Sequence, residues 1–142
     1  MCPPRVDIRF PATREGFAQG FAALRRKLDS EQLDPGPRYR AELVFEEIVA
    51  NIVKHGTRSG SDLEVCVTVE ARPEVLVLTF EDGGVPFDPS AHRKASPPRS
   101  LEDEKVGGFG LMLVRRVTTS LDYLRTAEGR NRLTVRVARN EP

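Results

Sequence analysis

The run VLVLTF at residues 75–80 is apolar at five of its six positions. A strand with so little polar surface must be covered on both faces or nearly so, which places it inside a sheet. Just upstream, Val65, Val67 and Val69 alternate with Cys66, Thr68 and Glu70. That period of two predicts a neighbouring strand with one buried face, and the short ARPE turn makes the two an antiparallel hairpin. The central strand ends in Glu81-Asp82-Gly83-Gly84. An Asp-Gly pair would ordinarily suggest a hairpin turn, but the next segment, VPFDP, is not a strand.

The remaining elements arrange themselves around this pair. VDIRF reads as a first strand. A helix comes next, with Thr13 as N-cap and Phe17, Phe21, Leu24 and Leu28 on its buried stripe. The segment DPGP interrupts it, because two prolines and a glycine break a helix. A second helix runs from about Arg38 to His55 and stops at Gly56. Residues 88–106 are rich in proline and charge and show no periodicity. A structureless stretch of that length inside one domain is a functional or disordered loop. GGFGLMLVRRV then opens a third helix, and LDYLRTA and RLTVRVA form two strands around the turn EGRN. Grouped helices with mostly antiparallel strands predict an α/β two-layer sandwich, its helices on one face of a mostly antiparallel mixed sheet.

Composition narrows the class. The chain has 142 residues, enough for one domain with a real core, so residues 1–142 are expected to form a single unit. Twenty-two basic and 21 acidic residues leave a formal net charge of +1, which offers no electrostatic footprint for nucleic acid or a membrane surface. No apolar run approaches the roughly 20 residues of a membrane span, and the N-terminus lacks the apolar core of a signal peptide. Cys2 and Cys66 make no metal or redox motif. The expectation is a reducing, cytoplasmic setting with both thiols free and Cys66 a plain strand residue.

Three stretches carry chemistry. In the second helix, Val44, Phe45, Ile48, Val49, Ile52 and Val53 form the sheet-facing arc, and Glu47, Asn51 and His55 follow one edge at four-residue steps. Such neighbours lie within about 6 Å of each other. A carboxylate and an amide there suit a hard cation and a proton transfer, although a solvated helix edge would also accommodate them. Asn51 is the misfit in that plain reading, since asparagine is a poor helix former. Asp82 stands where a buried strand opens into two glycines, and its carboxylate can accept from an exocyclic amine such as that of adenine. In GGFGL, residues 107–111, glycines run into a helix whose first-turn N–H groups suit phosphate. The stretch is not a P-loop.

In this order the three stretches resemble the nucleotide-binding boxes of the GHKL superfamily. EEIVANIVKHG looks like the N box, EDGGVPFDP the first glycine box and GGFGLMLVRRV the second. Compact size, PFDP and the tail DYLRTAEGRNRLTVRV resemble in particular the bacterial anti-sigma-factor serine/threonine kinases. The resemblance implies the Bergerat ATP-binding fold, with ATP and Mg²⁺ as ligands. It implies Glu47 as the base for the attacking hydroxyl and Asn51 as the Mg²⁺ ligand. Asp82 would bind the adenine amino group, with Gly84 beside the base, and Gly108 and Gly110 would lie at the phosphates. Residues 88–106 would be the ATP lid. His55 either touches the ligand or simply ends the helix.

There are two departures. Relatives often carry an arginine before the second glycine box, where this chain has Lys105 and Val106. Lys105 supplies charge there as a point rather than a fork. Relatives commonly have aspartate where Thr119 stands. The resemblance implies a cytoplasmic, ATP-dependent serine/threonine protein kinase with an anti-sigma regulatory role. It would phosphorylate an anti-sigma-factor antagonist, bind a sigma factor, and admit a homodimer. The alternative is a non-catalytic ATP-binding partner-switch module.

Overall fold

The structure is a computed structural model that describes residues 2, 5–56, 63–89 and 108–139. The apolar run is central, as its composition requires. It lies in β3 (Val75–Asp82), between β2 (Glu64–Ala71) and β5 (Asn131–Ala138). β1 (Ile8–Pro11) adds to β2, and β4 (Ser120–Arg125) adds to β5, giving the order β1-β2-β3-β5-β4. All four pairings are antiparallel, which meets the expected mostly antiparallel arrangement at its extreme.

Register determines which residues face the helices. Val67 pairs with Phe80 and Phe80 with Leu133, while Leu78 lies between Val69 and Val135. These rows belong to the core with Phe10, Phe45, Leu24 and Leu28. Period two along the strands carries the Leu76, Leu78, Phe80 row to Asp82, and the Val137, Val135, Leu133 row to Asn131. The core face therefore ends in a buried polar pair. Cys66 and Glu81 pair across β2 and β3 on the opposite face.

α1 (Arg14–Ser30) is capped by Thr13, whose Oγ1 accepts from Gly16 N at 2.9 Å. Leu24 and Leu28 of the expected stripe are buried, whereas Phe17 and Phe21 are partly covered. The helix lies so close to β1 that a Cβ on Gly20 would stand 2.5 Å from the Phe10 ring. α2 (Pro35–Gly56) begins three residues before the expected Arg38. The first turn of a helix needs no N–H donors, so Pro35 and Pro37 start this one instead of preceding it. α3 (Gly108–Val117) packs against α2. Among the described residues, no helix is long and apolar enough to cross a membrane.

One expectation is corrected: Cys2 and Cys66 form a disulfide, with Cα atoms 5.9 Å apart, and are not free thiols. The chain before β1 runs along β2, where Asp7 N donates to Val67 O and Thr68 Oγ1 donates to Arg5 O. Sixty-four positions of separation are thus closed by strand pairing, which residue spacing alone does not reveal.

Candidate functional site

The ends of the core rows form one wall of a cavity. Asp82 is 7% and Asn131 8% exposed, so each needs internal partners. Asn131 Nδ2 donates to Asp82 Oδ1 at 3.1 Å and to Val85 O at 2.9 Å. Asn131 Oδ1 accepts from Tyr123 Oη at 2.5 Å, Arg125 Nη1 at 3.1 Å and Phe87 N at 3.3 Å. A second bond to Asp82 Oδ1 comes from Gly84 N at 2.8 Å. Among the described residues both bonds to Asp82 fall on Oδ1, which leaves Oδ2 to accept from a ligand.

A side chain at position 84 would crowd the carboxylate. A Cβ there would meet Asp82 Oδ1 at 2.9 Å and Leu63 Cδ1 at 3.1 Å. Arg125 Nη1 also holds the Gly84 carbonyl at 2.9 Å. The turn after β3 is therefore tied to β4 and β5 and fixes the carboxylate.

α2 supplies the facing wall. Asn51, 8% exposed, lines the cavity together with His55 one turn on. Ile48, Ile52, Phe80 and Leu133 give it an apolar interior. The His55 ring stacks on Phe87 with centroids 4.0 Å apart and planes at 26°. The cavity volume is about 30 Å³, room for a water or two.

The structure thus brings Asn51, His55, Asp82 and Gly84 together. Glu47 is elsewhere: it lines the adjoining groove between α1 and α2, with Arg14, Phe17 and Lys54. One helix turn separates the two, and the helix divides them between two hollows. Partial burial raises the Glu47 pKa above its ordinary 4.5, and repulsion from Glu46 adds to this. Gly108 and Gly110 fall within the first turn of α3, whose leading N–H groups have no intrahelical acceptors. Lys105 and residues 90–106 of the expected lid lie outside the described residues. Thr119, at the second departure, donates its N–H (2.8 Å) and its hydroxyl (3.1 Å) to Arg136 O, a local packing role.

Sequence reading missed Asn131, Tyr123 and Arg125. Asparagine is a poor strand former, so Asn131 at the head of the apolar alternation was the available signal.

The donor set fits a purine nucleotide with Mg²⁺. A buried carboxylate has one oxygen to spare, the cavity interior is apolar, and an amide offers one hard oxygen. Mg²⁺ commonly takes one or two protein ligands, with phosphates and water completing its shell.

Comparison with known proteins points to an ATPase domain. Residues 10–137 match the histidine kinase-like ATPase domain family. Over 100 residues the chain is 34% identical to the serine/threonine-protein kinase BtrW of Bordetella bronchiseptica, covering 69% of this chain and 68% of that protein. The fold matches a chain of the SiaB–SiaC complex from Pseudomonas aeruginosa with a TM-score of 0.52 at 18% identity, covering 94% and 91% of the two chains. It also matches the catalytic domain of histidine kinase ThkA, with a TM-score of 0.53 at 13% identity, covering 74% and 70%.

Proposed function

Because the chain belongs to the histidine kinase-like ATPase domain family, we propose that it is an ATP-dependent serine/threonine protein kinase of the partner-switching, anti-sigma type. The carrying observation is Asp82, fixed on Oδ1 by Asn131 and Gly84 at the lip of a largely apolar cavity. The 34% identity to a serine/threonine-protein kinase supports the choice of reaction.

The residues divide the work. Asp82 accepts from the adenine amino group, which guanine replaces with a carbonyl that a carboxylate repels. Asn51 offers its amide oxygen to Mg²⁺. When bound, ATP would supply the γ-phosphoryl group and Mg²⁺ would neutralise phosphate charge. The free N–H groups opening α3, aided by Lys105, suit the phosphates. Glu47 takes the proton of the incoming hydroxyl. Partial burial raises its pKa, which makes it a stronger base than an exposed glutamate. The groove beside it is open to a partner's side chain, whereas the Asp82 cavity is narrow. Catalysis then consists mostly of positioning and charge stabilisation.

The protein substrate in this reading is a small anti-sigma-factor antagonist, and the second partner is a sigma factor. The test is incubation with labelled ATP–Mg²⁺ and candidate antagonists encoded nearby, scoring label on serine or threonine. Label on one antagonist supports the kinase. Tight ATP binding with no transfer to any partner it binds makes the chain a non-catalytic switch module.

A further inference from the structure

On the sheet face turned away from the helices, groups of opposite charge flank the Cys2–Cys66 disulfide. Arg130 Nη2 lies 3.5 Å from Cys66 Sγ. Glu64 Oε1 lies 3.1 Å from Cys2 Sγ. Arg130 is held in place by Glu81 at 3.3 Å, and Arg132 reaches the same carboxylate at 3.1 Å. Two guanidinium groups sharing one carboxylate leave this cluster with one net positive charge beside Cys66. The two sulfurs also differ in access: Cys66 is 2% exposed, whereas Cys2 is only half-buried. Neither cysteine lines the Asp82 cavity or the Glu47 groove.

We propose that Cys2 and Cys66 form a thiol–disulfide exchange site for low-molecular-weight thiols and their disulfides, with Cys2 the sulfur attacked and Cys66 the resolving thiolate. Exchange is directional because the leaving thiolate must carry negative charge, and a more stable thiolate leaves faster. Attack on Cys2 expels the Cys66 thiolate next to Arg130. Attack on Cys66 would need access to a buried sulfur and would expel the Cys2 thiolate 3.1 Å from the Glu64 carboxylate; that carboxylate lies within 4.8 Å of Cys66 as well, so the Arg130 contact is what distinguishes the two leaving thiolates.

In the reducing direction, a thiolate RS⁻ bonds to Cys2 Sγ, the Cys2–Cys66 bond breaks, and its electron pair stays on Cys66. A second RS⁻ attacks the R sulfur of the mixed disulfide, releasing RSSR and the Cys2 thiolate. Two RSH are oxidised to RSSR, and one protein disulfide is reduced to two thiols that take up the two protons. The oxidising direction is the reverse: Cys2 takes RS from RSSR, and Cys66 displaces it.

The experiment places the full chain in mixtures of reduced and oxidised glutathione, with acid quench, alkylation and peptide mass mapping. The disulfide fraction should follow the mixture reversibly, and the trapped adduct should map to Cys2. Arg130→Gln should slow reductive cleavage about threefold or more by removing the positive charge beside the leaving thiolate, and Arg130→Lys should keep the wild-type rate. Adduct on Cys66, a disulfide unchanged across all mixtures, or equal rates for the Gln and Lys variants would overturn the assignment. Zinc is the competing occupant, since Cys2, Glu64 and Cys66 offer three ligand atoms within 4.8 Å of one another. A reduced chain that takes up one Zn²⁺ and then resists oxidised glutathione would make this a metal site instead. Because adduct mapping does not depend on Arg130, the result stands even where Arg130→Gln perturbs folding.

Discussion

Asp82 and Asn131 are direct partners across β3 and β5, and the Asn131 amide holds Asp82 Oδ1 at 3.1 Å. Neither is placed by its own loop. Each is the last helix-facing position of an apolar row, so the packing that builds the core also sets the carboxylate. The proposed adenine contact is thereby anchored at the end of the central strand.

Asn131→Ala is expected to weaken ATP binding about tenfold, because Asp82 loses a donor and its carboxylate swings. Stability should fall by about 1–3 kcal/mol, since buried partners are left unsatisfied. Isothermal titration with ATP and GTP, alongside denaturant unfolding, separates the two effects. Wild-type protein should favour ATP over GTP; equal affinities would remove the adenine role from Asp82.

Gly84→Ala tests the turn rather than the acid. The added Cβ meets Asp82 Oδ1 at 2.9 Å and must displace it. ATP affinity should drop, while the melting temperature changes by no more than a few degrees. Unchanged affinity would show that the carboxylate tolerates movement.

Gly20→Ala should destabilise the fold by about 1–3 kcal/mol, because its Cβ would stand 2.5 Å from the Phe10 ring. ATP affinity measured well below the melting temperature should be unaffected. A variant as stable as the wild type would mean that α1 can shift off β1.

Glu47→Gln gives a pH signature. A glutamate with a raised folded-state pKa stabilises the fold below its unfolded pKa, and that contribution is lost as pH rises through the folded value. The uncharged variant should therefore melt at a slightly higher temperature than the wild type at pH 7, and the difference should vanish below about pH 4. Phosphotransfer by the wild type should fall on acidification with a midpoint above the ordinary glutamate value. A variant less stable than the wild type at neutral pH would contradict the desolvation of Glu47.

Elements with strong periodicity were legible in the chain: the VLVLTF strand, its alternating neighbour and the Thr13-capped helix. Asp82, Gly84 and Asn51 were legible as misfits, polar or glycine residues where apolar or helix-forming ones would do better. The role of Asn131 was not, because it depends on a pairing between residues 49 positions apart. The Cys2–Cys66 link depends likewise on the path of the chain before β1. Pro35 and Pro37 looked like breakers because a proline inside a helix and one in its first turn read alike until the helix start is known. The separation of Glu47 from Asn51 arises from α1, which packs beside α2 and makes the Glu47 groove its own space.

The most direct test of the kinase reading is the rate of phosphoserine or phosphothreonine formation on a bound antagonist at saturating ATP–Mg²⁺, compared between wild type and Glu47→Ala. Loss of a general base should lower that rate by about 10²–10⁴-fold while ATP affinity stays near the wild-type value. Asn51→Ala should instead lose Mg²⁺-dependent ATP binding and transfer together. Transfer by Glu47→Ala at the wild-type rate would contradict the base assignment, and a wild type that binds both ATP and the antagonist without transferring phosphate would contradict the kinase itself.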